Sequence, residues 1–199
     1  NSELRKRRLG LRDDDTFHAG KNLYRNSCGT EIVRGSMNDK PGQQLLLNFP
    51  SHPEYDFSNF VVSEGSRIAF ETAKEFCSEN PAPYQALYLF GQKNLGKTHL
   101  LMSIGNRAAE RGLRAVCIQG HDFVDKLGGD PAPETQQTLE QLLDVDFFLL
   151  DNIESLSQSP KAQEKLYHIY NEMTEKGGKL AFTAGLPPDR NSAMESYLT

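Results

Sequence analysis

The octet Gly91-Gln92-Lys93-Asn94-Leu95-Gly96-Lys97-Thr98 has the spacing of a phosphate-binding loop. Its glycines permit backbone torsions and a close approach that a Cβ would block, so successive N–H groups can converge on phosphate oxygens. Lys97 adds a mobile cation that can reach the β- and γ-phosphates, and Thr98 adds a hydroxyl that can ligate Mg²⁺. His99 follows at once and is expected to support the loop rather than to act in catalysis. Asp151 is the second chemical candidate. It ends the apolar run Phe147-Phe148-Leu149-Leu150, 53 residues after Thr98, where a carboxylate can hold Mg²⁺ or its water beside such a loop. Asn152 comes next, where a carboxylate would polarise an attacking water, and an amide cannot take a proton. Glu154 is the nearest carboxylate and lies on the wrong phase. Slow or absent hydrolysis is therefore expected. Thr183, at the end of a later apolar run, either senses a γ-phosphate through its hydroxyl or is a β-branched strand residue.

These residues need a scaffold of alternating strands and helices. Apolar runs predict strands over Ala86–Phe90, Ala115–Gln119, Asp146–Asp151 and Lys179–Thr183. Between them, helical patterns run from Ser63 or Ser66 to about Cys77, Lys97 to about Arg111, Phe123–Leu127, Thr135–Leu143 and Pro160–Lys176. The first carries Ile68, Ala69, Ala73 and Phe76 on one face. Gly112, Gly128-Gly129, Gly177-Gly178 and Pro187-Pro188 punctuate the pattern. Strands alternating with helices give an α/β fold with a parallel sheet and flanking helices. His52, His121 and His168 show no metal-ligand spacing.

The chain of 199 residues carries a net charge of −5, with 37% apolar residues and a mean hydropathy of −0.58. Residues 1–36 are basic by +3, and the remainder is acidic by −8. An acidic body is a poor non-specific partner for nucleic acid. Cys28, Cys77 and Cys117 are scattered and odd in number, which argues against a disulfide framework and fits a reduced cytoplasmic compartment. No apolar run is long enough to span a bilayer. Residues 1–42 lack a period and are expected to be a mostly disordered tail, with Met37 a plausible start. Gln44-Leu45-Leu46-Leu47-Asn48-Phe49 is an apolar island in residues 43–52. It either docks as an extended peptide in a partner's groove or packs on its own domain.

The segment Tyr55-Asp56-Phe57-Ser58-Asn59-Phe60-Val61-Val62, with Arg67 and Ala69 after it, resembles the entry to the AAA+ domain of the bacterial replication initiator DnaA. Leu95-Gly96-Lys97-Thr98-His99-Leu100-Leu101 and Ile104-Gly105-Asn106 are similar to that family's P-loop and helix, and Asp144–Leu156 and Gly178–Pro188 to its Walker B and sensor 1 regions. The resemblance covers about residues 53–188. It implies a P-loop NTPase (AAA+) domain over 53–199, truncated before the helical lid, that binds ADP or ATP with Mg²⁺. The nucleotide site would comprise Gly91, Asn94, Leu95, Gly96, Lys97, Thr98 and His99, with Phe57, Phe60, Val61 and Val62 lining the adenine pocket. Thr98 and Asp151 would hold the metal and Thr183 would be the sensor.

Asn152 and the run Thr183-Ala184-Gly185 depart from the family pattern, which is acidic at the first position and more polar at the second. Three features point from DnaA itself toward the Hda group of DnaA regulatory inactivators. Little chain follows Asp151, leaving no place for an origin-reading helix-turn-helix. His121–Val145 holds one Lys, no Arg and six acids, which would repel a phosphate backbone. The island at 44–49 is similar to a sliding-clamp-binding peptide, with Gln44 in a polar subsite and Leu45, Leu47 and Phe49 on the apolar side. That resemblance implies a cytoplasmic regulator of replication initiation that binds the sliding clamp and promotes hydrolysis of the ATP on its partner DnaA, is able to form a homo-oligomer, and binds nucleic acid weakly or not at all. The arginine such proteins supply in trans would lie beyond Thr199, and the spacing of Arg190 does not support it. The alternatives are a DnaA- or helicase-loader-like ATPase acting on DNA, and a small P-loop kinase.

Overall fold

The computed structural model describes residues 23–25, 31–33, 47–49, 54–78, 84–130 and 132–191. Residues 1–43 form one unit and 44–199 another. In the first, β1 (Leu23–Arg25) pairs antiparallel with β2 (Glu31–Val33). These two strands lie inside the stretch expected to be mostly disordered.

The second unit opens with β3 (Leu47–Asn48), then α1 (Arg67–Phe76), β4 (Ala86–Phe90) and α2 (Lys97–Glu110). It continues with β5 (Ala115–Gln119), α3 (Gly120–Leu127), α4 (Pro133–Leu143) and β6 (Phe147–Asp151), and ends with α5 (Pro160–Glu175) and β7 (Lys179–Ala184). The sheet order is β3-β5-β6-β7-β4. Strands β5, β6, β7 and β4 are mutually parallel, and β3 adds an antiparallel edge to β5. This is the parallel α/β sheet the sequence predicts. All the parallel strands end on the same side, which places Phe90, Gln119, Asp151 and Ala184 at one rim.

Side chains alternate along each strand, so a sheet covered on both faces needs apolar residues at every position. In β6, Phe147 and Leu149 pack with Phe76, Leu101 and Ile104 of α1 and α2. Phe148 and Leu150 pack on the other face with Phe123, Leu142 and Leu166 of α3, α4 and α5. Removing a side chain such as Phe148 would cost about 3–5 kcal/mol.

Local chemistry sets the helix starts. The Ser159 hydroxyl accepts the Ala162 N–H ahead of Pro160, the arrangement a capped helix with proline at its first position adopts. Two expectations are corrected, one a helix start and one a buried face. Helix α3 starts at Gly120, not Phe123, because Gly120 has no Cβ to collide with the Asn152 carbonyl, and the turn can close at once after β5. Ile68, expected on the buried face of α1, is 82% exposed. It lies five residues from buried Ala73, a rotation of about 140° around a helix. Among the described residues, no helix is long and apolar enough to cross a membrane.

Candidate functional site

The loop Gly91–Gly96 connects β4 to α2. Gly91 (φ 145°), Asn94 (φ 63°) and Gly96 (φ 82°) hold positive φ, and Gly91 N–H donates to the Ala184 carbonyl at the end of β7. Helix α2 has no side-chain cap at Gly96. Its first N–H groups and the positive end of its dipole are left for an anion. Gly96 meets a second constraint, since a Cβ there would come within 2.5 Å of the Phe60 ring. Lys97 Nζ donates to the carbonyls of Gly91 and Gln92, each at 2.8 Å, which suspends its charge over the loop.

Asp151 is 7% exposed and collects donors from three elements. The Thr98 hydroxyl of α2 lies 3.1 and 3.0 Å from its two oxygens, Gln119 Nε2 of β5 donates at 3.0 Å, and the Thr183 hydroxyl of β7 donates at 2.5 Å. Thr183 also accepts the Asn152 N–H at 2.8 Å. Its hydroxyl proton is thus committed to Asp151, and in this arrangement it braces the carboxylate instead of facing outward toward a phosphate. Asn152 itself sits at φ 65° with its amide donating to Ser155 Oγ. Glu154 points the other way, and its carboxylate accepts the N–H groups of Gly185 and Leu186, tying the loop after β7 in place.

Thr98 and Asp151 adjoin, as a Mg²⁺ site beside a phosphate-binding loop requires; such an ion takes few protein ligands and completes its shell with water and phosphate oxygens. Among the described residues no group of three or more His, Cys, Asp or Glu could hold a metal by itself. The residues present therefore fit a metal that arrives with nucleotide.

His99 behaves as a brace. Its Nε2 lies 2.9 Å from the Asp56 carbonyl, and its ring meets Tyr55 and Phe60 edge-on at 5.5 and 5.3 Å. Asn106 Nδ2 donates to the Tyr55 carbonyl at 2.7 Å, so α2 grips the incoming segment at two points. Asp56 caps the short turn Phe57–Asn59 by accepting the Ser58 N–H at 2.7 Å. Hydrogen bonds from Ser58 hold the Asp56 carboxyl below its usual range. The four residues assigned to the adenine pocket divide. Phe57 is only 5% exposed and packs edge-on against Phe70, so it backs the wall without facing a ligand. Phe60 stacks on Phe70 and covers Gly96. Val61 and Val62 are exposed, as are Leu95, Phe90 and Leu186. Gln119 and Asp56 went unrecognised in the sequence. Gln119 has a signal after the fact, since its register partner is Asp151. Leu47 and Phe49 of the proposed clamp peptide lie against the body of the domain, while Gln44 and Leu45 fall outside the described residues.

The family profile described as the bacterial DnaA ATPase domain matches residues 51–199. Among curated proteins, the chromosomal replication initiator protein DnaA of Campylobacter fetus is 32% identical over 158 residues, covering 78% of this chain and 35% of that protein. The chain thus spans about a third of the length of such relatives. Among solved structures, AMPPCP-bound DnaA from Aquifex aeolicus superposes with a TM-score of 0.67 at 29% identity, over 74% of this chain and 47% of that one. A DnaA described as bound to AMPPCP and single-stranded DNA superposes with a TM-score of 0.67 at 27% identity, over 74% and 46%. With its loop, its Asp151 cluster and its strand order in place, this chain belongs to the bacterial DnaA ATPase domain family.

Proposed function

We propose that this chain binds ADP or ATP with Mg²⁺, turns it over slowly, and regulates replication initiation by presenting a nucleotide-set surface to DnaA. The observation that carries the slow turnover is the pairing of Asn152 with a committed Glu154. Neither residue supplies a free carboxylate beside Asp151. Thr98 and Asp151 would hold the metal, which would supply positive charge to neutralise the phosphates. Lys97 and the α2 N-terminus would bind the phosphates, and Phe60, Val61 and Val62 would lie along the base. Recognition of the sliding clamp through Gln44–Phe49, in the manner of the Hda group, is part of the same reading and draws its support from the sequence pattern. So does a cytoplasmic setting.

A single-turnover assay with ATP tests this. Cleavage far slower than nucleotide release is expected, with hydrolysis rising in Asn152→Asp, and brisk cleavage by the parent chain would overturn the proposal. A second reading, an initiator- or loader-like ATPase acting on single-stranded DNA, is favoured by the DNA-bound relative. Against it stand the acids of α3 and α4, Asp122, Asp125, Glu134 and Glu140, with Lys126 as the one cation there. DNA binding that falls steeply with salt would select that reading instead.

A further inference from the structure

Helix α2 carries a glycine, Gly105, near its middle. Such a residue weakens a helix relative to alanine and calls for a reason. A Cβ at this position would come closer than 3.0 Å to three carbons of the Phe49 ring, so the aromatic side chain lies directly on the glycine backbone. The residues just before Phe49 are held as well. Leu47 and Asn48 pair antiparallel with Cys117 and Val116 on the outer edge of β5. Without them, β5 would end the sheet with a row of unpaired backbone groups, a template for any extended chain.

We infer that the β5 edge together with the Gly105 surface of α2 is a docking surface for an extended peptide bearing one aromatic residue, and that residues 47–49 of this chain occupy it. Backbone pairing supplies affinity and the glycine seat supplies selectivity, the division of labour seen when a strand is added to a sheet edge. The consequence for partners rests on the reading of Gln44–Phe49 as a clamp-binding peptide. A ring seated on Gly105 cannot enter a partner's groove at the same time. The segment therefore reaches the clamp only in the fraction of molecules in which it has left β5, and the apparent affinity falls by that fraction.

The test uses the full chain, a synthetic peptide of residues 43–50, and purified sliding clamp. Backbone hydrogen exchange is followed at residues 44–49 and 115–119. Gly105→Ala should expel Phe49, speed exchange in both segments at least tenfold, and raise clamp affinity toward that of the peptide, which is expected to bind several-fold tighter than the parent chain. Nucleotide binding at the P-loop, unchanged, shows that the variant is folded. Phe49→Ala provides a second route, speeding exchange without altering α2. Unchanged exchange in both variants overturns the docking surface, and equal clamp affinity of peptide and parent chain overturns the occlusion. Exchange that responds while neither peptide nor chain binds the clamp leaves the docking surface standing and overturns the clamp reading.

Discussion

Asp151 receives hydrogen bonds from Thr98, Gln119 and Thr183, which come from α2, β5 and β7. A buried carboxylate with three donors is positioned by its neighbours, and each donor has a measurable worth. Thr183→Val keeps the shape but leaves Asp151 Oδ1 and the Asn152 N–H short of a partner, at about 1–3 kcal/mol for an unsatisfied buried group. Urea unfolding should show that loss, and Mg²⁺-dependent nucleotide affinity should fall with it. Lys97→Ala should lower nucleotide affinity by one to two decades, the size expected on losing about 1.5–3 kcal/mol of hydrogen bonding to a charged group, with the unfolding midpoint little changed. Titration calorimetry with ADP reads this directly. At this scale the pattern Gly91–Thr98 and the acid at 151 were legible, because few residue types satisfy those positions. The Gln119 contact and the bracing role of Thr183 were not, since both depend on which strands lie side by side.

Among the elements, the junction of β4, the loop and α2 is shaped by Gly96, which combines φ 82° with the Phe60 ring overhead. Gly96→Ala is both strained and crowded, and should reduce thermal stability and nucleotide binding together, unlike Lys97→Ala. The turn Phe57–Asn59 depends on Asp56. Hydrogen bonds from Ser58 lower its folded pKa, so the ionised cap stabilises above the unfolded carboxyl's pKa and the contribution is lost as pH falls through the lowered folded value. Asp56→Ala should cost about 0.5–2 kcal/mol at neutral pH. Asp56→Asn should retain most of the cap while removing its share of the acid dependence, as pH-resolved denaturation would report. The strands were readable from their uninterrupted apolar runs and the helices from their periodicity. The first turn of α3 was hidden, because Gly120 reads as a breaker until the Asn152 carbonyl is seen pressing on it.

Across the whole molecule, the sheet separates two cores, and buried thiols report on one of them. Cys77 and Cys117 both belong to the α1–α2 side. Burial pushes the Cys77 thiol up to about 11 and raises that of Cys117 as well, helped by the nearby Asp151 charge. Neither should react with a thiol reagent at pH 8 in the native state, and mass-spectrometric labelling in urea should track the loss of circular dichroism at both positions. The residues of this chain determined by themselves the phosphate-loop spacing of Gly91–Thr98, the parallel α/β scaffold, and the placing of an amide, Asn152, directly after Asp151. These follow from local spacing and period, which need no knowledge of distant neighbours. Only the tertiary structure decided that Thr183 and Gln119 converge on Asp151, that Glu154 is spent on the loop after β7, and that Phe49 rests on Gly105. Each of these joins residues far apart in the chain, and strand order and register choose such partners where no local pattern can.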